Sequence, residues 1–175
     1  MVKGGTMKKK WHKHYGVYGI AYENSKMLLI NKVKGPYINR FDLPGGSLTE
    51  DESIIQHLKR EFIEETGYEI EVLEHLGIQD FKIKEAYLDY QFIHHIAIFY
   101  SVKLKEKIRD VSNEINVYGN NEINDSAGVC WKNPNELSIE NSSPLVMKIL
   151  SKKKINFNNK DFPSDLIKYD SWKRK

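Results

Sequence analysis

Apolar residues recur along this chain at two different periods. From Tyr15 to Tyr22 (YGVYGIAY), aromatic and β-branched residues dominate, and Lys26–Lys32 (KMLLINK) repeats that character. Both stretches predict strands. Glu23-Asn24-Ser25 lies between them as a turn, so the two are expected to pair as a hairpin. Lys34-Gly35-Pro36 opens a loop, and Tyr37–Leu43 leads into Pro44-Gly45-Gly46, a turn that breaks any preceding strand. The period then changes. Ile55, Leu58 and Phe62 recur at helical spacing and predict one apolar stripe. Thr49 and Glu52 have the spacing of a capping box, so the helix is expected to start there. Gly67 suits the residue after its end.

Beyond the helix the strand pattern returns. Glu69–Phe81 predicts a strand with a bend at Gly77, and Asp89–Leu104 predicts the strongest strand of the chain, central in a sheet. Lys105–Asp125 is polar and predicts an irregular loop; Ala127–Trp131 predicts a short strand, and Pro134–Leu137 a turn. Ser142-Ser143-Pro144 is a helix start, followed by helical residues to Leu150. Strands, one central helix, more strands and a last helix predict an α+β fold, with helices on both faces of a mixed sheet.

The polar face of the central helix changes the picture. Glu61, Glu64 and Glu65 cover an arc of roughly 100° beside the apolar stripe. Like charges at this spacing destabilise an isolated helix, so a counter-charge is expected among them. Three hard oxygen ligands suit Mg²⁺ or Mn²⁺ rather than zinc.

These residues also carry a resemblance. Gly46, five residues, Glu52, seven residues, Arg60-Glu61, Phe62, one residue, Glu64-Glu65, one residue and Gly67 reproduce the box of the Nudix hydrolases (MutT-like). Tyr68 departs from the aliphatic residue usual at the last position, which bears on packing and not on chemistry. The resemblance implies an α/β/α sandwich. It implies hydrolysis of a nucleoside diphosphate linked to another group, with Mg²⁺, or Mn²⁺ in its place. By motif position it makes Glu64 and Glu65 metal ligands and Glu61 a ligand or the general base. The Gly45 carbonyl is a further candidate ligand, since glycine lets backbone come close. Glu52 would sit behind the metal ligands or on a bridging water. Arg60 would orient a carboxylate.

Composition bounds the alternatives. A chain of 175 residues suits one domain, read as a basic extension over 1–14, a hydrolase domain over 15–150 and a basic extension over 151–175. No apolar run approaches the roughly 20 residues that span a membrane, and no secretory signal is visible. The lone Cys130 precludes an internal disulfide and reads as a small core residue. A cytoplasmic protein fits all of this. The basic ends solubilise the chain or attract a polyanion, so capped or triphosphorylated RNA joins small nucleotides as candidate partners, and a homodimer is compatible.

Outside the box, Tyr15, Phe41 and Gly46 are the candidate substrate contacts, with Tyr18, Tyr37 and Phe81 as further stacking candidates. His94 and His95 are neighbours in a strand and point to opposite faces. His12 and His14 can share a face. The loop Gly119–Gly128 offers Glu122, the preferred extra catalytic carboxylate, and Asp125. The markers that separate Nudix subfamilies are not evident; from Gly67 to Cys130 there is no proline. The competing reading is a nucleotide- or RNA-binding regulator without catalysis, against which the full acidic set argues. An isoprenoid diphosphate isomerase lacks support from any cysteine signature.

Overall fold

The computed structural model describes residues 10–111 and 126–154. Strand β1 (Trp11–Ile20) lies between β5 (Gly45–Ser47) and β7 (Phe92–Lys107), and β7 lies between β1 and β6 (Tyr68–Ile83). The β1–β7 pair is parallel and the others are antiparallel, so the sheet is mixed. A second sheet joins β2 (Tyr22–Glu23), β3 (Lys26–Lys32) and β4 (Phe41–Asp42), with β8 (Ser126–Lys132) on β3.

Alternation along the strands builds the layers. Side chains of successive strand residues point to opposite faces. Val17, Leu28 and Val102 therefore bury against Leu58 and Phe62 of helix α1 (Ile54–Thr66). Tyr18, Leu29 and Phe99 bury on the other side with Leu145, Val146 and Ile149 of helix α2 (Pro144–Lys154). Each fully buried Leu or Phe contributes about 1.5–3 kcal/mol. The result is the expected α/β/α sandwich.

Four expectations are corrected. The hairpin is only β2 with β3, joined by Asn24 and Ser25 at φ 48° and 64°. Two positive φ values give the twist that a tight hairpin needs. Most of the expected first strand leaves this pair and joins β7 instead. Strand β1 also begins at Trp11, inside the stretch read as a basic extension, because Phe92 and its successors pair with it and Trp11 stacks on Phe92 at 4.8 Å. The helix starts at Ser53 and not at Thr49. Ser53 and Gln56 form the capping box, with Gln56 N–H donating to Ser53 Oγ at 3.3 Å and Ser53 N–H donating to Gln56 Oε1 at 3.1 Å. Glu52 is taken up by Arg60 instead (Nε to Oε1 2.9 Å), and a charge-assisted bond outcompetes the 3.5 Å contact from Thr49. Finally, β7 reaches Lys107, so the expected loop from Lys105 starts too early.

Other expectations hold. Gly67 closes α1 at φ 79°, donating its N–H to Ile63 O at 2.8 Å. Gly77, at φ 108°, sits where the β6–β7 register shifts. The core reading of Cys130 holds only in part: it is half-buried and packs against the core from outside, and burial pushes its thiol pKa up. Among the described residues no helix is long and apolar enough to cross a membrane.

Candidate active site

The glycine turn is fixed by backbone pairing. Gly45, Gly46 and Ser47 lie opposite Tyr18, Val17 and Gly16, and Gly19 N–H donates to Pro44 O at 2.9 Å. This brings the turn against the polar face of α1. Gly45 N–H donates to Glu65 Oε2 at 2.8 Å. A Cβ on Gly46 would stand 2.8 Å from Glu61 Oε2.

Three carboxylates share one guanidinium. Arg60 donates from Nη2 to Glu52 Oε2 at 2.9 Å, and from Nη1 to Glu61 Oε1 at 2.8 Å and Glu64 Oε2 at 3.0 Å. The Arg60 bonds and the His57 contact hold the Glu52 carboxyl down at about 2, against an opposing desolvation. Arg60 is itself held firmly charged, first by Glu52 and then by Glu61 and Glu64.

Glu65 is different. It is only 3% exposed, and burial pushes its pKa up to about 8. Lys32 and the Gly45 N–H act against the shift, and Glu61 and Asp42 add to it. Asp42 is also buried, and desolvation raises its pKa against Lys32, Ser143 and the Leu43 N–H. Its Oδ1 accepts from Ser143 Oγ at 2.6 Å and Leu43 N at 2.9 Å, which ties the glycine turn to the start of α2.

His57 was missed by reading the sequence. It is fully buried on α1, one turn before Glu61. Its Nδ1 lies 3.0 Å from both Glu52 Oε2 and Arg60 Nη2. Among the described residues its Nε2 has no hydrogen-bond partner, and it stands 3.6 Å from Glu61 Oε1. The i, i+4 spacing to Glu61 was the available signal.

The donor set fits a hard divalent cation. Glu52, Glu61 and Glu64 face one guanidinium, and beside them burial opposes the ionisation of Glu65, which a cation would favour. As the side chains stand, no three His, Cys, Asp or Glu among the described residues form a ligand group. Glu61 and Glu64 point to Arg60, so loading requires them to turn.

A cavity of about 450 Å³ adjoins this cluster across Gly46, which lines it. Tyr15 lines it too and is 48% exposed. Tyr18 and Tyr37 reach its wall but are otherwise core, and Phe81 is 2% exposed in the same core. Phe41 lies outside the lining, half-buried under the Lys132 Nζ at 5.2 Å. His94 and His95 do face opposite ways: His94 Nε2 meets Asp80 Oδ2 at 3.0 Å, and His95 lines the cavity with His12 and His14. Glu122 and Asp125 lie outside the described residues.

The model of the NUDIX domain matches residues 12–148. No curated protein matches the sequence. Among solved structures, a MutT NUDIX hydrolase from Burkholderia pseudomallei is 19% identical with a TM-score of 0.61, covering 80% of this chain and 97% of its own. A NUDIX hydrolase from Nitrosomonas europaea is 20% identical with a TM-score of 0.56, covering 82% and 89%. A UDP-X diphosphatase is 17% identical with a TM-score of 0.54, covering 81% and 62%. At these identities the structures establish a shared fold.

Proposed function

This chain belongs to the NUDIX family and is a hydrolase of phosphoric anhydrides, and from that premise we propose that it cleaves, with Mg²⁺, the diphosphate of a nucleoside diphosphate linked to another group. The observation that carries the reading is the buried Glu65 carboxyl, held by the Gly45 N–H, with Glu61 beside it against Gly46, which lines the cavity. Glu61, Glu64, Glu65 and the Gly45 carbonyl would hold the cation. When bound, it supplies positive charge to the diphosphate oxygens.

The remaining work falls to the chain's own residues. Glu61 accepts a proton from the attacking water, whose oxygen bonds to phosphorus as the bridging P–O bond breaks. The products are a nucleoside monophosphate and the phosphorylated second group. Arg60 holds Glu52, Glu61 and Glu64 in one constellation, which limits the orientations Glu61 can take. Gly46 leaves room for Glu61 beside the turn.

The test is a substrate panel of dinucleoside polyphosphates, sugar nucleotides, nucleoside triphosphates and capped RNA, read as phosphate released after phosphatase coupling. Turnover with Mg²⁺ or Mn²⁺, abolished by a chelator, is expected. No turnover on any of these overturns the reading. Mg²⁺ is also expected to raise the melting temperature, since only the folded chain gathers the ligands. The triple variant Glu61→Gln, Glu64→Gln, Glu65→Gln should lose that rise; an equal rise in both proteins places the cation elsewhere.

A further inference from the structure

Beside the acidic cluster, one buried nitrogen lacks a hydrogen-bond partner among the described residues: Nε2 of His57. The helix sets its place. His57 lies one turn before Glu61 and three residues before Arg60, so all three share one flank of α1. Its side chain is 1% exposed, and Nε2 stands 3.6 Å from Glu61 Oε1. Buried polar atoms are almost always partnered, because an unmet one loses its bond to water and gains nothing. An apolar side chain here would avoid that loss.

The neighbours of the ring place its proton. Nδ1 lies 3.0 Å from Arg60 Nη2 and 3.0 Å from Glu52 Oε2. A guanidinium only donates and a carboxylate only accepts. If Nδ1 accepts from Arg60, the proton of the ring is on Nε2. If Nδ1 donates to Glu52 in a ring that carries two protons, the other is again on Nε2. Only a ring protonated at Nδ1 alone leaves a bare lone pair at Nε2. That lone pair would face a carboxylate oxygen, and two acceptors so placed repel. Nε2 therefore carries a proton aimed at Glu61.

The two oxygens of Glu61 face different ways. Oε1 accepts from Arg60 Nη1 at 2.8 Å. Oε2 lies toward the glycine turn, where a Cβ on Gly46 would stand 2.8 Å away, and Gly46 lines the cavity. Arg60 Nη1 also serves Glu64 at 3.0 Å, and Glu61 must turn from it to take a cation. The His57 N–H is aimed at Glu61 alone. A closure of about 0.7 Å converts the 3.6 Å contact into a bond of ordinary length. The ring is buried and held from behind at Nδ1, so it fixes a moving carboxylate and does not follow it.

We propose that His57 is a positioning residue for Glu61. Its Nε2–H takes Oε1 when the carboxylate turns from Arg60, which leaves Oε2 as the oxygen that meets the attacking water. Holding one oxygen removes the rotation that would exchange the two. The role of that water rests on the hydrolase reading; the hydrogen bond does not.

Nitrogen NMR of histidine-labelled, metal-free protein reports which ring nitrogen bears the proton, with His57 assigned by its loss in a His57 variant. Nε2 is expected to be protonated. Its resonance should shift in Glu61→Gln, and adding Mg²⁺ to the wild type should move its proton downfield as the bond forms. A bare Nε2, or a proton indifferent to both changes, overturns the proposal. Turnover supplies a second arm. His57→Leu fills the space without nitrogens and should lower kcat about tenfold or more, with KM within about twofold of wild type. His57→Gln returns an amide N–H to the neighbourhood of Nε2 and should recover kcat to within about threefold of wild type. A ring that only fills space predicts the reverse order, with the Leu variant active. Full activity in His57→Leu, or equal losses in both variants at unchanged urea midpoints, overturns the proposal. A wild type that turns over nothing while Nε2–H responds to Glu61→Gln sinks the hydrolase reading and leaves the hydrogen bond.

Discussion

Glu65→Gln is expected to lower kcat by about a hundredfold or more and, without metal, to make the protein more stable above neutral pH. Both effects come from one carboxylate. Its pKa is pushed up to about 8, first by burial and then by Glu61 and Asp42, against Lys32 and the Gly45 N–H. The folded state therefore binds a proton that the unfolded state has already released. The unfolded carboxyl titrates near 4.5 and the folded one near 8. Below 4.5 both states are protonated and burial is uncharged. Between 4.5 and 8 the unfolded chain releases this proton while the folded one keeps it, so stability falls by an amount on the order of a few kcal/mol, and above 8 the folded state holds the desolvated charge and the loss levels off. A neutral amide of the same shape avoids that loss, and its oxygen can still accept from Gly45. Thermal unfolding in a chelator from pH 5 to 9 measures this. The wild type should lose stability more steeply than the variant. Some slope should remain in the variant, because Asp42 is also raised by burial. Parallel profiles would show that Glu65 is not the group under strain. Retention of more than about a tenth of kcat, a barrier change of only ~1.4 kcal/mol, would remove it from the metal site.

The box was legible because its chemistry is local. Glu61, Glu64 and Glu65 lie within two turns of one helix, and their common face follows from the period alone. The layers were legible for a similar reason, since alternation in β1, β3 and β7 separates two cores. What could not be read depends on pairing between distant segments. Nothing near His95 shows that Tyr18 and Tyr37 flank it; the parallel register of β1 with β7 does that. The same register draws Trp11 and His12 out of an apparent basic tail. The helix start was misplaced because Thr49–Glu52 and Ser53–Gln56 have the same spacing. The choice between them was made by Arg60, eight residues from Glu52 in the chain and bonded to it in space. His57 escaped for a subtler reason. A polar residue beside an apolar stripe reads as solvated, whereas Glu52 and Arg60 close over its ring.

Adjacent glycines in the turn should fail in opposite ways when each becomes alanine. Gly45 has φ 139°, a conformation that a side chain makes costly. Its new Cβ would collide with the Val17 carbonyl oxygen and stand 2.8 Å from Tyr18 Cα. Both are backbone atoms of β1, which pairs with β7 on its other side and cannot retreat without breaking that register. Gly45→Ala is therefore expected to cost about 3 kcal/mol or more, seen as a lower urea midpoint. Gly46 carries no such backbone restriction. Its new Cβ would meet Glu61 at Oε2, Cδ and Cγ, at 2.8, 2.9 and 3.3 Å. Those atoms end a side chain that can rotate. Gly46→Ala should thus keep stability within about 1 kcal/mol of wild type while kcat falls about tenfold or more, because Glu61 is pushed off the place from which it meets water and cation. The two urea curves, read beside the two rates, separate the roles. A Gly46→Ala protein that unfolds as early as Gly45→Ala would make the turn merely structural. A stable Gly46→Ala protein with full activity would show that Glu61 works from another position.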